Sequence, residues 1–356
     1  MKKMHLKLSL LTLSALMASG TLIHSIPPAQ EQQKKCFNRE MLETLYSDHL
    51  PVHFTVKDIG DVMLWNVLMI KMSREVDPNT GRPLWYTNGF AIAHESQEDT
   101  KARAFNIARH VVSAMEKGTN LVLLQELYPD MGKEKNRTLF MEQLDRALKE
   151  SNSNLSVATI TSEANDSVTL YNTKVLQEIK IDNALLQDIE QNIQLQKRKY
   201  HPTGPRFTIS LFQNKESGTK FLVNNVHLLY VANEDMRQQT IHDLNLIIDL
   251  GKTLDADYTI IAGDFNLDAA KKLDFSGENY TYALQSSPDT VIASRVAQDG
   301  AVKFELDTAD GVVFIAHKGK IVDDTFTYKG AEAMGEISLE YILEQLNAKW
   351  HPECGQ

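Results

Sequence analysis

The chain has 356 residues, 42% of them hydrophobic and 24% charged, which suits one large globular domain or two small ones. A net charge of −10 and an isoelectric point near 5.6 exclude a broad basic surface, so any nucleic-acid contact must be local. They do not exclude a phosphodiester substrate, because a bound divalent cation can reverse the sign of the site that holds it.

Residues 1–20 predict a secretory signal peptide. Met1 to Lys7 is basic, Leu8 to Met17 is apolar, and Ala18-Ser19-Gly20 offers small residues for cleavage. The apolar stretch is shorter than the roughly 20 residues that span a bilayer. Residues 21–55 are read as an N-terminal tether and 56–356 as a single domain. The two cysteines, Cys36 and Cys354, fall near the two ends of the exported chain. Export makes a Cys36–Cys354 disulfide permissible, and two free thiols are the alternative.

Along the domain, Val62 to Asn66 is an apolar strand ending in Trp65-Asn66. A stretch from Lys71 to His94, with aromatics and the basic Lys71, Arg74 and Arg82, departs from the core pattern. It is either a border of the active-site mouth or a surface embellishment. Asp99 to Lys117 has helical periodicity and leads into the strand Asn120–Glu126, which ends in Gln125-Glu126. A helix is expected over 139–148, strands over 167–171 and 206–212, and a solvated helical insertion over 185–198. Lys220 to Leu228 is a strand with Asn225 and His227 on one face. A helix over 235–254 precedes the strand Tyr258–Ala262, which runs into Gly263-Asp264-Phe265-Asn266. Asp310 opens a late strand to Ile315, and His317 just beyond it is expected at the surface. Helices alternating with strands predict layered α/β packing.

Four of these strand ends share one chemistry. Each is apolar for several residues and then places Asn, Glu, Asp or His. On an extended backbone, residues two apart point the same way, so Asp264 and Asn266 are expected to face one ligand. A cap or a satisfied core group explains one such end, but four together point to a site. Glu126 is the candidate metal ligand, with Asn66 as its neutral neighbour. Oxygen donors of this kind suit Mg²⁺ or Mn²⁺ rather than zinc.

In this order the motifs resemble the endonuclease/exonuclease/phosphatase superfamily, the deoxyribonuclease I-like fold. The order is Trp65-Asn66, Gln125-Glu126, Asn225-x-His227-Leu228, Gly263-Asp264-Phe265-Asn266, then Asp310 opening a strand. The resemblance implies a four-layer α/β/β/α sandwich of two packed mixed sheets flanked by helices. Together with the signal stretch it implies a secreted, metal-dependent phosphoric ester hydrolase, either a phosphodiesterase or a phosphatase. By resemblance Asp264 is the general base, Asn266 and His227 contact phosphate, and Arg206 matches a phosphate-binding arginine. Asn225 lies beside the substrate, and Asp166 is placed to orient His227.

The family closes with Ser-Asp-His near its C-terminus. There the Asp holds metal and the His pairs with the residue matching Asp310. The triplet is expected to be missing from this chain. Its best positional match is Ile337–Ile342, where Leu339 replaces the Asp and Glu340 the His, and His351 before Pro352 is the other candidate. The resulting alternative is a non-catalytic relative that keeps the fold and binds a phosphorylated ligand or a protein partner.

Overall fold

The computed structural model describes residues 47–67, 97–127, 136–151, 154–161, 166–193, 207–231, 233–275, 281–289, 291–296 and 302–332. The signal stretch, the 71–94 segment, both cysteines, Arg206, Glu340 and His351 lie outside them.

Alternation along the strands builds the core. In β2 (Gly60–Asn66), Val62 and Leu64 face one way, Met63 and Trp65 the other. Between β1 (Val52–Val56) and β2 the chain turns at Asp58 and Gly60, both with positive φ. After helix α1 (Gln97–Glu116), β3 (Thr119–Gln125) splits Leu121 and Leu123 from Val122 and Leu124 in the same way. Helix α2 (Asn136–Glu150), β4 (Val157–Thr161) and β5 (Val168–Asn172) complete this half with α1 and β3. The second half runs through β6 (Leu176–Ile179), α3 (Asn183–Asn192), β7 (Phe207–Asn214), β8 (Lys220–His227), α4 (Glu234–Thr253) and β9 (Tyr258–Asp264). It ends with α5 (Ala269–Lys272), β10 (Thr281–Ser286), the ribbon β11 (Val291–Val296) and β12 (Val302–Asp307), then β13 (Asp310–Ala316) and β14 (Phe326–Ala331).

Two six-stranded sheets result, ordered β14-β1-β2-β3-β5-β4 and β10-β13-β9-β8-β7-β6. Each has one parallel pair at its centre, β2 with β3 and β8 with β9, and all other neighbours are antiparallel. The parallel pairs arise because α1 and α4 carry the chain back over the sheet between them. Between the sheets pack Phe54, Val62, Leu64, Leu121, Phe212, Phe221, Ile260 and Phe314, among others. Helices α1 and α2 cover the outer face of the first sheet, and α3 and α4 that of the second. The architecture is a four-layer α/β/β/α sandwich. Strands covered on both faces are apolar throughout, which is why they read as unbroken apolar runs.

Three expectations are corrected here. The N-terminal tether does not reach residue 55. Val52–Val56 is a strand hydrogen-bonded between β14 and β2, with Val52, Phe54 and Val56 wholly buried. The helix expected over 185–198 is the shorter α3, capped by Asp182, and residues 194–206 lie outside the described set. His317 is not at the surface: it is buried, with Nε2 2.8 Å from Thr259 Oγ1. Burial and the neighbouring Lys252 and Lys318 push its imidazole down to about 4. No helix among the described residues is long and apolar enough to cross a membrane.

Candidate active site

The stripe of side chains that faces the opposite sheet changes character at one rim. Val62 and Leu64 are followed on the same face by Asn66, and Leu121 and Leu123 by Gln125. Phe221 and Val223 are followed by Asn225 and His227, and Ile260 and Ala262 by Asp264. Asp310 begins the antiparallel strand whose next inward residues are Val312 and Phe314. Register aligns these ends, pairing Asn66 with Gln125, His227 with Asp264, and Asp310 with Asp264. The carboxyl ends of both parallel pairs therefore open onto one polar floor, where open α/β sheets commonly bind ligands.

The floor has two tiers. The deeper tier is a seal between the sheets. Gln125 Nε2 donates to Asn225 Oδ1 at 2.7 Å, and Asn225 Nδ2 reaches the Leu124 and Val168 carbonyls at 3.2 and 3.1 Å. Asn225 is fully buried and its amide is spent on the opposite sheet. Its place is thus one of positioning, not of substrate contact. Gly263 lets β9 approach closely here: a Cβ on it would stand 2.1 Å from the Val226 carbonyl oxygen.

The upper tier carries the reactive groups. Asn66 Nδ2 donates to Asp264 Oδ2 at 3.0 Å and to Glu126 Oε1 at 3.3 Å. Glu126 follows β3 in the left-handed region, φ 60°. His227 Nδ1 donates to Asp166 Oδ2 at 2.6 Å, which turns Nε2 toward Glu126 and Asp264, 3.7 Å from each. Asp166, expected to orient His227, stands in that place. Asn266 is not on extended backbone, as the spacing argument requires. Its φ is 52°, its N–H donates to Asp264 Oδ1 at 2.7 Å, and its Nδ2 donates to the Leu228 carbonyl at 2.9 Å. The turn aims the Asp264 carboxylate while committing the Asn266 amide to the backbone.

The missing triplet is present, at the other end of the motif order. Ser47-Asp48-His49 precedes Leu50-Pro51 and β1. Ser47 Oγ donates to the Asn66 carbonyl at 2.5 Å and accepts from the His49 N–H. Trp65 Nε1 donates to the His49 carbonyl at 2.9 Å. His49 Nδ1 meets Asp310 Oδ2 at 2.9 Å, and its Nε2 lies 3.9 Å from Asp264 Oδ2 and 4.0 Å from Asp48 Oδ1. Burial alone would depress the His49 imidazole. Asp310, Asp48 and Asp264 outweigh it and hold the ring well above its ordinary value. The three carboxylates thus favour the charged form of His49, while burial pushes the Asp310 carboxyl up as well. Neither Glu340 nor His351 is needed for the His49–Asp310 pairing. The signal is legible as a Ser-Asp-His-x-Pro string, but it stands far from the C-terminal place that the family's order gives it.

Asp48, Glu126, Asp166, Asp264 and Asp310 are all buried around two imidazoles. Glu126 Oε2 and Asp310 Oδ1 are buried oxygens with no hydrogen-bond partner among the described residues. Buried charge without compensation costs several kcal/mol per ion. A divalent cation with hard-oxygen preference fits the orphaned Glu126 oxygen and the excess of carboxylates. No three His, Cys, Asp or Glu side chains among the described residues form a ready metal cage.

No family model matches the chain, and no curated protein is similar to it. Solved structures are. An endonuclease/exonuclease/phosphatase from Bacteroides vulgatus is 14% identical over 63% of this chain and 83% of its own, with a TM-score of 0.38. The human nocturnin catalytic domain with bound sulfate is 13% identical over 78% and 95%, with a TM-score of 0.40. A mannosyl-6-phosphatase from Bacteroides thetaiotaomicron is 13% identical over 62% and 94%, with a TM-score of 0.33. At such identities and TM-scores the likeness assigns neither family nor role. The two-sheet sandwich is the architecture that the resemblance of the strand-end motifs to the endonuclease/exonuclease/phosphatase superfamily implies. Against the motif order that the resemblance implies, this chain's order is permuted. Ser-Asp-His, which closes the family's order, here comes before Trp-Asn, and the strand that follows it, β1, lies beside the Trp-Asn strand β2.

Proposed function

We propose that the chain is a secreted, metal-dependent phosphoric ester hydrolase. The observation that carries the reading is the His49–Asp310 pair set against Asp264, beside a buried Glu126 oxygen with no partner among the described residues. A phosphoric ester resists attack because its oxygens are negative and its leaving group is poor. Glu126 and Asp48 would hold Mg²⁺ or Mn²⁺, with Asn66 holding Glu126 in place, and the ion would supply positive charge to the phosphate. Asp264, aimed by the Asn66 amide and the Asn266 N–H, takes the proton of the attacking water. His49, kept protonated by Asp310, donates to a phosphoryl oxygen as negative charge builds there. His227, fixed by Asp166 through Nδ1, presents Nε2 to the same space. Arg206, the residue before Phe207 in the sequence, remains the proposed phosphate-contacting guanidinium.

The binding-only alternative drew its support from an absent Ser-Asp-His, and that support is gone. The neighbours named above do not select a substrate. A nucleic acid, a phospholipid and a sugar phosphate remain open, and fold alone does not choose among them. Export, by the first twenty residues, would place that substrate outside the cytoplasm.

Hydrolysis of bis-p-nitrophenyl phosphate and p-nitrophenyl phosphate, with Mg²⁺, Mn²⁺ and EDTA compared, tests the reading. Turnover that needs the ion and collapses in His49→Asn is the expected result. Ion-independent turnover, or none in a panel that includes DNA, RNA and phospholipids, would overturn it.

A further inference from the structure

The Ser47-Asp48-His49 segment belongs to no strand of either six-stranded sheet. A backbone bridge from His49 to Val291, the Ser47 hydroxyl on the Asn66 carbonyl and the Trp65 indole on the His49 carbonyl hold it against the rim. A reacting group carried on such a segment must be placed closely, because a shift of about 1 Å can cost roughly a hundredfold in rate. Two routes of contact lead from the His49 backbone away from the floor. Both end on one side chain, Glu332, which the reaction proposed above does not use.

The first route crosses β2 and α1. Trp65, whose indole N–H holds the His49 carbonyl, is wholly buried. His110 of α1 meets its ring in a T-shaped contact, with 5.3 Å between centroids and 68° between planes. His110 Nε2 lies 3.2 Å from Glu332 Oε2. The second route follows β1. Ala331 at the end of β14 pairs with Val52. Glu332 comes next, and its N–H donates at 2.8 Å to the carbonyl of Pro51, two residues past His49. The same Glu332 Oε2 stands 3.1 Å from His53 Nε2 on β1.

One imidazolium and one neutral imidazole satisfy every bond in this group. His53 Nδ1 faces Asp61 Oδ2 at 2.7 Å and its Nε2 faces Glu332, so a ring with both protons donates to both carboxylates. His110 needs only the proton on Nε2, and burial pushes its imidazole down toward that neutral form. Asp61 also accepts from Thr119 Oγ1 at 2.8 Å and from Lys329 Nζ at 2.7 Å. Glu332 Oε2 thus accepts one bond from β1 and one from α1. Helix α1 does not need that bond to stay on the sheet, since Ala104, Ile107, Ala108 and Val111 already pack there with Met63, Trp65 and Val122. What the bond adds is direction: it fixes the ring that backs Trp65.

We propose that Glu332 is a positioning residue for His49. It fixes the His110 ring behind Trp65 and the Pro51 carbonyl that follows His49, and so sets where the His49 ring stands over the floor. Its side chain lies with His53 and His110 on the helix side of the first sheet, whereas Val52 and Phe54 beside His53 face the other sheet. Glu332 therefore acts through His49 rather than on the ester. That role rests on the reading above, in which His49 donates to a phosphoryl oxygen.

The test uses the full chain carrying Trp85→Phe and Trp350→Phe, which leaves Trp65 as its one indole. With saturating Mn²⁺, Glu332→Ala should lower kcat for p-nitrophenyl phosphate by about 10-fold to 100-fold. KM should hardly move, because His49 acts as charge builds in the transition state. Glu332→Gln keeps an oxygen that can accept both N–H bonds, and it should recover most of the loss. His110→Ala should lower kcat as well, and the two losses should not add in the double variant. Glu332 is partly exposed, so Glu332→Ala should keep the parent's far-ultraviolet circular dichroism. Its Trp65 emission should shift to the red as water reaches the indole. A folded Glu332→Ala with the parent's kcat, or with the parent's Trp65 emission, would overturn the proposal. So would a loss that appears only in KM. A parent that turns over no phosphoric ester would sink the hydrolase reading instead, and the Trp65 emission of Glu332→Ala would then decide alone whether Glu332 holds this segment.

Discussion

His49 shows how much one side chain depends on its surroundings. Its ring is buried against three carboxylates, and removing any of them alters its charge. Asp310→Asn would replace an ion pair by a neutral hydrogen bond and return the ring toward its depressed, buried value. Turnover should fall by at least about a hundredfold, the scale for losing a proton-transfer or charge-stabilising group, while KM for p-nitrophenyl phosphate changes far less. Single-turnover kinetics with saturating Mn²⁺ would measure the chemical step, and an unchanged rate would remove the pair from catalysis. Asp264→Asn is expected to cost at least as much, because an amide cannot take the proton. Gly263 makes a structural claim at the same scale. Its φ of 143° and the 2.1 Å that would separate an alanine Cβ from the Val226 carbonyl oxygen leave no room for a methyl group. Gly263→Ala should destabilise the fold by about 2 kcal/mol or more, a size reserved for named mechanisms such as backbone strain and clash. A denaturant midpoint equal to wild type would show that β8 and β9 can separate there.

At the scale of elements, legibility follows burial. β2, β3, β8, β9 and β13 are covered on both faces and are readable as apolar runs, with their polar ends marking the rim. β1, β10 and β14 are not. Val52-His-Phe-Thr-Val56 and Phe326-Thr-Tyr-Lys-Gly-Ala331 alternate apolar and polar residues over a few positions, and their surroundings carry no turn signal strong enough to bracket them. Without β1 as a strand, the Ser-Asp-His before it has no structural context, and Glu340 and His351 stand as candidates in its place. Asp264 and Asn266 are legible as a pair, but the left-handed Asn266 is not, because a positive φ at a non-glycine residue is set by the turn's hydrogen bonds rather than by composition. The burial of His317 is hidden for a related reason. The end of β13 is covered by the last turns of α4, whose Gly251 leaves space beside Thr259 and His317. Its lowered pKa has a consequence for stability. Between about pH 6.5 and 4 the unfolded chain binds a proton on this histidine and the folded chain does not. Stability should therefore fall as pH drops through that window. In His317→Gln, urea melts across the window should show a shallower pH slope, and an identical slope would mean that the ring is solvated.

At the scale of the whole molecule, the site belongs to neither sheet alone. Asn66 and Glu126 come from the first sheet and its rim, as do Asp48 and His49 through the segment leading into β1. His227, Asp264 and Asp310 come from the second. The deeper Gln125–Asn225 bond joins the same two layers. An ion on Glu126 and Asp48 would compensate carboxylates contributed by both halves, in a chain that already carries a net charge of −10. Binding at the active site should therefore register in global stability and not only in turnover. A ligand at a hundred times its Kd stabilises the form that binds it by about 2.7 kcal/mol. Mn²⁺ should raise the denaturant-unfolding free energy of wild type by that amount at such a concentration, and the gain should vanish in Glu126→Gln. A stabilisation by Mn²⁺ that survives Glu126→Gln would place the ion elsewhere. No stabilisation at concentrations that support turnover would mean that the ion arrives only with the substrate.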